Sequence, residues 1–392
     1  MPNNRIYYAS QTVQLKPQNA DTLVYSNWYQ PLGLQSVSMN TTFDLQQAFQ
    51  LGTVELYDNV EGVPNVEVSI SRILDNTAPL YTMCMGGQAG VDGAFNQPLG
   101  ALSTNRVNFR LGIYEDTKQF TSGNAASHVV CSGMYLSRFS YTFPVEGNAT
   151  EEVTLVGNHK IWNTGTFFTA DNAYIFSTSN IFHPDTKLNS PTEIFPTKTS
   201  GIITRQYVNI IGSILPTGYG GIKLPNSANS GQDQTGAVIF PHFQNITISS
   251  DLGRENINEL GKFSPYCRYT TFPIEVTSEF QVSTTEGDYV DAKDFYLKDF
   301  CGEAKSNLVR HPIAIRVNSS NSNLGSCSNG MILNLGNQNT LTSINHAGGD
   351  TGGGNVTVTY SFRNFNNFFI SASGTYANGV YVGNNTTTVS AN

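Results

Sequence analysis

The chain has 392 residues and a formal net charge of −8, and only 13% of its residues are Asp, Glu, Lys or Arg. That length suffices for two or three domains with buried cores. The absence of any cluster of Lys and Arg argues against a protein that grips nucleic acid through its phosphates, although nucleic acid could still slide past such a surface. Phe and Tyr are frequent, with 23 and 19 residues, and they favour strands.

The five cysteines are an odd number and form no Cys-x-x-Cys pair. We therefore expect reduced thiols and a protein that is made in the cytoplasm. The first residues lack the charged and then apolar segments of a signal peptide. No apolar run approaches the roughly 18 residues that a membrane helix needs, so the sequence predicts no membrane partner.

The first strong pattern in the chain is SVSMNTTFDLQQAFQLG, at residues 36–52. An alternating strand comes first, and residues 44–51 predict a short helix that ends before a glycine. A proline then leads into a strand in which Val66, Val68 and Ile70 alternate with polar residues. A period of two predicts an antiparallel strand with one buried and one solvated face.

The same pattern returns in the second half, where residues 245–261 read NITISSDLGRENINELG. A strand again precedes a predicted helix, at 251–260, and a proline again leads into an alternating strand. Two later segments recur in the same order. CSGMYL before EEVTLVGN in the first half corresponds to CSNGMIL before NVTVTYSF in the second.

This collinear order predicts an internal duplication. The first domain would span residues 1–198, and the second 199–392, beginning with an extended arm at 199–244. The predicted fold is all-β and mainly antiparallel, with two tandem copies of a β-sandwich or barrel, each with one flanking α-helix. A Gly-rich surface loop is predicted at residues 86–101.

No arrangement of residues in the sequence predicts chemistry. The six histidines have no Cys or His partner at the spacing of metal ligands, and the acidic segment 286–300 lacks the spacing of a calcium loop. Glu151 and Glu152 are adjacent carboxylates, but neighbours on a strand point to opposite faces. We therefore expect no catalytic residue, no metal and no cofactor, and a protein that is not an enzyme.

The order of these elements resembles that of bacteriophage tail tube proteins. The resemblance rests on TFPVEGNATEEVTLVGN at 142–158 and on DLGRENINELGKFSPYCRYTTFPIEVTSEFQV at 251–282. It covers most of the chain, and no single motif is diagnostic. That family is similar to the inner-tube protein of type VI secretion, in which a β-barrel or sandwich with one helix forms six-fold rings that stack into a hollow tube.

The resemblance implies a structural virion protein, the major subunit of a phage tail tube, assembled in the host cytoplasm. A duplicated chain would form trimeric rings that imitate the hexamer. Its partners would be further copies of itself and the tail tip, terminator and tape measure proteins, with a sheath if the tail contracts. DNA would pass through the channel during ejection without sequence-specific binding.

A lumen-facing surface can be proposed from the alternating strands, because carboxylates and hydroxyls on such a wall would keep DNA from sticking. The same alternation is also what any half-exposed sheet would show. The arms 1–35 and 199–244 and the loop 86–101 are candidates for ring-to-ring contacts, or they cover their own sheets. The predicted lumen residues are Glu67, Ser69, Ser71, Glu275, Thr277 and Glu279.

Two other classes of protein share parts of this pattern. A head decoration, neck or baseplate hub protein would have the same β-rich and weakly charged character. A carbohydrate-binding module of a tail fibre would need exposed Trp and paired carboxylates, whereas this chain has only Trp28 and Trp162.

Overall fold

The computed structural model describes residues 10–18, 28–75, 77–86, 91–114, 127–164, 193–194, 201–210, 243–261, 265, 267–283, 313–318, 330–348, 355–372, 375–377 and 380–382.

Strands make up most of the described regular structure, and the all-β, mainly antiparallel prediction is confirmed. The strands of the first half are β1 (Gln11–Gln18), β2 (Trp28–Tyr29), β3 (Leu34–Thr42), β4 (Leu45–Phe49), β5 (Leu56–Glu61), β6 (Asn65–Ile73), β7 (Arg106–Ile113), β8 (Ser127–Pro144), β9 (Thr150–Gly157), β10 (Ile161–Thr164) and β11 (Glu193–Ile194). Two short helices, α1 (Leu80–Met85) and α2 (Leu99–Leu102), lie between β6 and β7.

The described part of the second half is also built of strands. Its strands are β12 (Val208–Ile210), β13 (Phe243–Asp251), β14 (Arg254–Ile257), β15 (Cys267–Thr270), β16 (Glu275–Ser283), β17 (Ala314–Asn318), β18 (Gly330–Asn334), β19 (Thr340–Ala347), β20 (Thr357–Phe365), β21 (Phe369–Ala372), β22 (Thr375–Ala377) and β23 (Val380–Val382). Within the described ranges, α-helix occurs only in α1 and α2.

Eight strands form one continuous antiparallel sheet, which we call the long sheet. Their order is β3-β6-β9-β8-β13-β16-β20-β19. The first four strands come from the first half of the chain and the last four from the second. The two halves meet where β8 pairs with β13, from Pro144↔Asn245 to Arg138↔Asp251. We call this pairing the internal junction.

A second layer of strands lies with each half of the long sheet. In the first half its order is β1-β7-β8-β10, because the 18-residue strand β8 belongs to both layers. In the second half the order is β12-β17-β18-β21. The inward side chains of the strands form one hydrophobic core that runs through both halves, with Val66, Val68 and Ile70 at most 1% exposed. Helix α1 lies against β1, β7, β8 and β9.

The two halves of the long sheet carry their irregularities at matching places. The pairing of β3 with β6 shifts between Leu34 and Ser36, and that of β13 with β16 shifts between Phe243 and Asn245 (243 − 34 = 209). The pairing of β8 with β9 shifts after Leu136, and that of β19 with β20 shifts after Leu341 (341 − 136 = 205). Since a bulge needs one extra residue at a defined position, these shifts align the two halves residue by residue.

The helices predicted at 44–51 and 251–260 are wrong, because both segments form hairpins. The first hairpin, residues 43–62, pairs β4 with β5, and the second hairpin, described at residues 252–261 and 267–271, pairs β14 with β15. The predicted helix ends are the hairpin turns, in which Gly52 and Gly261 have φ of +93° and +83°. Gln, Leu, Ala and Glu favour helix, and a glycine with positive φ suits a helix end as well as a tight turn.

The predicted surface loop at 86–101 covers the second half of its own chain over its described part. The backbone N–H groups of Asn96 and Leu99 donate to the carbonyls of Ile370 and Phe368 at 2.9 and 2.8 Å. Likewise β1, in the arm 1–35, is paired along its whole length with β7. These parts of the predicted ring-to-ring contacts therefore lie within the chain, and most of the arm 199–244 lies outside the described residues.

Candidate functional site

One face of the long sheet is polar, and it carries all six predicted lumen residues. Glu67, Ser69 and Ser71 alternate in β6 with buried side chains, and Glu275, Thr277 and Glu279 do so in β16. The two sets lie on one face but are separated by β9, β8 and β13. They form two separate patches on the polar face.

Hydroxyl groups connect the strands across this polar face. Ser69 and Glu275 lie on one row that crosses the strands. The pairs along this row are Ser69↔Thr154, Thr154↔Arg138, Arg138↔Asp251 and Asp251↔Glu275. The hydroxyls of Ser69 and Thr154 are 3.3 Å apart, and those of Ser249 and Thr277 are 2.8 Å apart. The polar groups are therefore held by their neighbours in the wall.

The charges of the polar face include two arginines that the sequence analysis missed. Arg138 lies 2.8 Å from Asp251 at the internal junction, and Arg363 lies 2.7 Å from Glu275. Both arginines alternate with buried residues, and that pattern could have identified them. Burial opposes ionisation of Asp251, but hydrogen bonds from the Gly253 N–H and from Arg138, together with the charge of Arg138, hold its pKa below the usual value.

Among the described residues of the eight strands, carboxylates outnumber guanidinium groups on this face. The acids are Glu67, Glu152, Asp251, Glu275 and Glu279, and the bases are Arg138 and Arg363. The face is therefore acidic and rich in hydroxyls. Such a surface repels phosphates rather than binding them.

The long sheet has two edges, β3 and β19, that pair on one side only within the described part of the chain. Val37 and Met39 on β3 are half-buried, whereas the matching Ile246 and Ile248 on β13 are 4% and 0% exposed. On β19, Leu341 and Ile344 are likewise half-buried, and the matching residues of β8 are fully buried. Unpaired edges of this kind are templates for pairing with another chain.

The two hairpins have different surroundings. The second hairpin is fastened to the first half of the chain through two arginines. Arg254 donates from Nε to the Leu136 carbonyl at 2.8 Å, and Arg268 donates from Nη2 to Asn65 Oδ1 at 2.6 Å. Burial lowers the pKa of Arg254 to about 10. The first hairpin projects from the sheet and exposes a set of large apolar side chains, namely Phe43, Leu45, Phe49, Leu51, Val54, Leu56, Tyr57 and Val60.

Glu151 and Glu152 point to opposite faces, as the strand geometry predicts. Glu152 lies on the polar face, whereas Glu151 is fully buried and accepts hydrogen bonds from Arg72 Nε at 2.9 Å and from the Tyr141 hydroxyl at 2.6 Å. It also accepts from the backbone N–H groups at the start of α1. This carboxylate joins β9, β6, β8 and α1, and it does not form a carboxylate pair with Glu152.

Within the described ranges, no cluster of three or more His, Cys, Asp and Glu side chains could hold a metal ion. His128 accepts a hydrogen bond from Arg110, and burial together with that charge lowers its pKa to about 4. His183, His242 and His311 and the acidic segment 286–300 lie outside the described residues. No helix in the described part of the chain has the length and apolar character needed to cross a bilayer.

Comparison with known proteins gives similarity to solved structures alone. No protein-family model matches the chain, and no curated protein matches it. A chain of the tube-terminating cap of the anti-feeding prophage matches with a TM-score of 0.29 and 13% identity, over 42% of this chain and 95% of that chain.

Two further structures match in the same way. The sheath–tube complex of an extracellular contractile injection system, PVC, gives a TM-score of 0.29 and 15% identity, over 42% of this chain and 95% of that chain. The SPP1 tail tube gives a TM-score of 0.24 and 14% identity, over 43% of this chain and 79% of that chain.

Proposed function

We propose that the chain is the tail tube subunit of a bacteriophage, a product of internal duplication whose copies close into trimeric, pseudo-hexameric rings. The domains would be residues 1–198 and 199–392. The matched strand orders and the matched bulges of the two halves support the duplication, because unrelated sheets would not share irregularities at corresponding positions.

The internal junction is the observation that carries this proposal. If the halves are copies, the pairing of β8 with β13 is the contact between two neighbouring units of a ring. A second contact of the same kind would then join two chains, with β3 of one chain paired to β19 of the other. Three chains joined in this way would close eight strands each into one barrel.

The proposed contact between chains would have the same register as the internal junction, transferred through the alignment of the two halves. Ile248↔Tyr141 of the internal junction becomes Met39↔His346, and Ser249↔Ser140 becomes Asn40↔Asn345. The half-buried side chains of both edges would be covered, which contributes about 25 cal/mol for each Å² of apolar surface removed from water. No pair of like charges opposes the contact.

The polar face would form the lumen, with Glu67, Glu275 and Glu279 repeated in every chain. Repulsion between this wall and phosphates would let DNA pass during ejection without sequence-specific binding. Rings would stack into a tube in the virion and meet other tail proteins at its ends. The exposed residue Trp162 and the buried residue Trp28 leave no pair of exposed Trp for a carbohydrate platform.

A disulfide across the proposed contact tests the register. The double variant Asn40→Cys/Asn345→Cys should give covalent trimers on mild oxidation, read by non-reducing electrophoresis. The mismatched pair Asn40→Cys/Ser343→Cys is displaced by two residues, about 7 Å, and should react much less. Equal yields from both pairs, or no cross-link from either, would refute the ring contact.

Electron microscopy of the purified chain, alone and with tail-tip complexes, distinguishes a tube subunit from other virion proteins. Hollow tubes are expected for the tube subunit. Isolated single rings in the presence of tail-tip complexes would instead indicate a neck or hub protein.

A further inference from the structure

The two hairpins occupy matching positions, yet one is docked and the other is not. Phe43 at the base of the first hairpin corresponds to Leu252 at the base of the second, 209 residues later. Leu252 is 0% exposed, whereas Phe43 is 67% exposed. The tips differ little, because Leu51 and the matching Leu260 are both fully exposed. The two hairpins therefore differ in burial at the base and not at these two tip residues.

The docking surface of the second hairpin lies on the first half of the chain, in the middle of β8 next to its bulge. The Leu252 N–H donates to the Ser137 carbonyl at 2.8 Å. The guanidinium group of Arg254 lies 5.1 Å from the centre of the Tyr135 ring and donates to the Leu136 carbonyl. Arg268 reaches further, to Asn158 Oδ1 at 3.1 Å.

The second half of the chain carries the counterpart of this surface. Residues 340–342 of β19 correspond to 135–137 of β8, because both segments adjoin the same bulge. Phe365 takes the place of Asn158. Asn158 follows the residue that pairs with Val66, the second residue of β6, and Phe365 follows the residue that pairs with Val276, the second residue of β16. Phe365 is exposed. Within the described residues, the first hairpin of the same chain lies at the opposite end of the long sheet from this surface.

We propose that the first hairpin of one chain docks on residues 340–342 and Phe365 of the next chain in the ring, with Phe43 in the place that Leu252 takes inside the chain. This inference rests on the proposed ring. A second copy of the chain would cover this surface, because inside the chain the matching surface on β8 is covered by the second hairpin. Phe43 would donate its N–H to the Thr342 carbonyl of the neighbour.

The residue differences at this contact are complementary. Leu45 replaces Arg254 and Asn59 replaces Arg268 on the hairpin, while Phe365 replaces Asn158 on the receiving surface. The contact between chains would therefore have apolar side chains, Leu45 and Phe365, where the contact inside the chain has Arg254 and Asn158. Separate chains lose translational and rotational freedom when they associate, and burial of apolar surface offsets that cost.

The variant Phe43→Asp tests the docking, with Leu51→Asp at the exposed tip as its matched control. Both are introduced into the Asn40→Cys/Asn345→Cys chain, and ring formation is measured by native mass spectrometry before oxidation. Phe43→Asp should weaken ring closure by roughly 30-fold or more, the effect of losing a central apolar anchor. Leu51→Asp should change ring closure by less than about 3-fold.

Rings that form equally well with Phe43→Asp would overturn the docking while leaving the ring proposal intact. Failure of the parent cysteine pair to cross-link would instead remove the ring proposal itself. A photoreactive amino acid at position 43 gives a second measurement without a charge. It should cross-link to a peptide of another chain containing residues 340–342 or Phe365, and cross-links solely to other peptides would also overturn the docking.

Discussion

Within the described residues, the second half of the long sheet begins at β13, which is paired on both sides, whereas the first half begins at β3, which is paired on one side. Ile248 in β13 is fully buried, whereas the matching Met39 in β3 is half-buried. The two side chains are both apolar and hold the same position in the same motif. Their difference in exposure comes from the presence of a neighbouring unit and not from the character of the strand.

The comparison extends to the core, where the two halves have different residues at one matching cross-strand pair. The cross-strand pair Arg72↔Glu151 of the first half corresponds to Val282↔Val358 of the second. The first pair is a fully buried ion pair, and the second is apolar and equally buried. The charged version also fastens α1, whose first N–H groups bond to Glu151.

Removing the charge of Glu151 should have the largest effect. Glu151→Gln removes the carboxylate that lies 2.9 Å from the buried Arg72 and leaves Arg72 with Asp75 at 3.9 Å. We expect the free energy of unfolding to fall by about 3–5 kcal/mol. Glu152→Gln, on the polar face one residue later, should change it by no more than about 0.5 kcal/mol. Urea denaturation of the monomer measures both. Similar losses in the two variants would contradict the burial that separates these adjacent carboxylates.

Truncation at the matched strand positions sharpens the comparison between junction and edge. Ile248→Ala opens a cavity in a closed core and should destabilise the monomer by about 2–4 kcal/mol. Met39→Ala should cost about 1 kcal/mol or less in the monomer, because that side chain is already partly solvated. Met39→Ala should nevertheless weaken ring formation, as measured by the concentration at which rings dissociate. An equal loss of monomer stability in both variants would show that β3 is already covered.

The smallest effect should come from copying a charge pair to the edge. Arg138 and Asp251 face each other at the internal junction, where the proposed contact between chains has Ser343 and Thr42. Thr42→Asp with Ser343→Arg should tighten the ring by about 2-fold, since exposed ion pairs contribute at most about 1 kcal/mol. High salt should remove this gain. A gain from either single variant as large as that of the double variant would contradict the predicted register.

The alternating strands were predictable because burial on one face imposes a period of two on the sequence. Val66, Val68 and Ile70, and their counterparts from Val276 to Val282, show this directly. The matching patterns of the two halves were visible for the same reason, since matching burial preserves matching alternation. The hairpins were not predictable, because the exposed strands β4 and β14 have no buried face to impose alternation.

The six predicted residues share the polar face because alternation was visible in their strands, but their partners were not predictable. Nothing in the local pattern places Ser69 and Glu275 on one row, because the strands between them come from distant parts of the chain. The role of Glu151 was also hidden, since its partners Arg72 and Tyr141 lie on two other strands. Sequence showed which way each side chain faces, and the pairing of strands determines what it meets.

The internal junction also has a consequence for counting. If each half of the chain is one unit of the proposed ring, β8 and β13 join two units within every chain. Any closed ring of these chains would then contain an even number of units. A ring with one unit too many or too few would require a broken chain. The covalent link thus acts as a check on parity during assembly, before any contact between chains has formed.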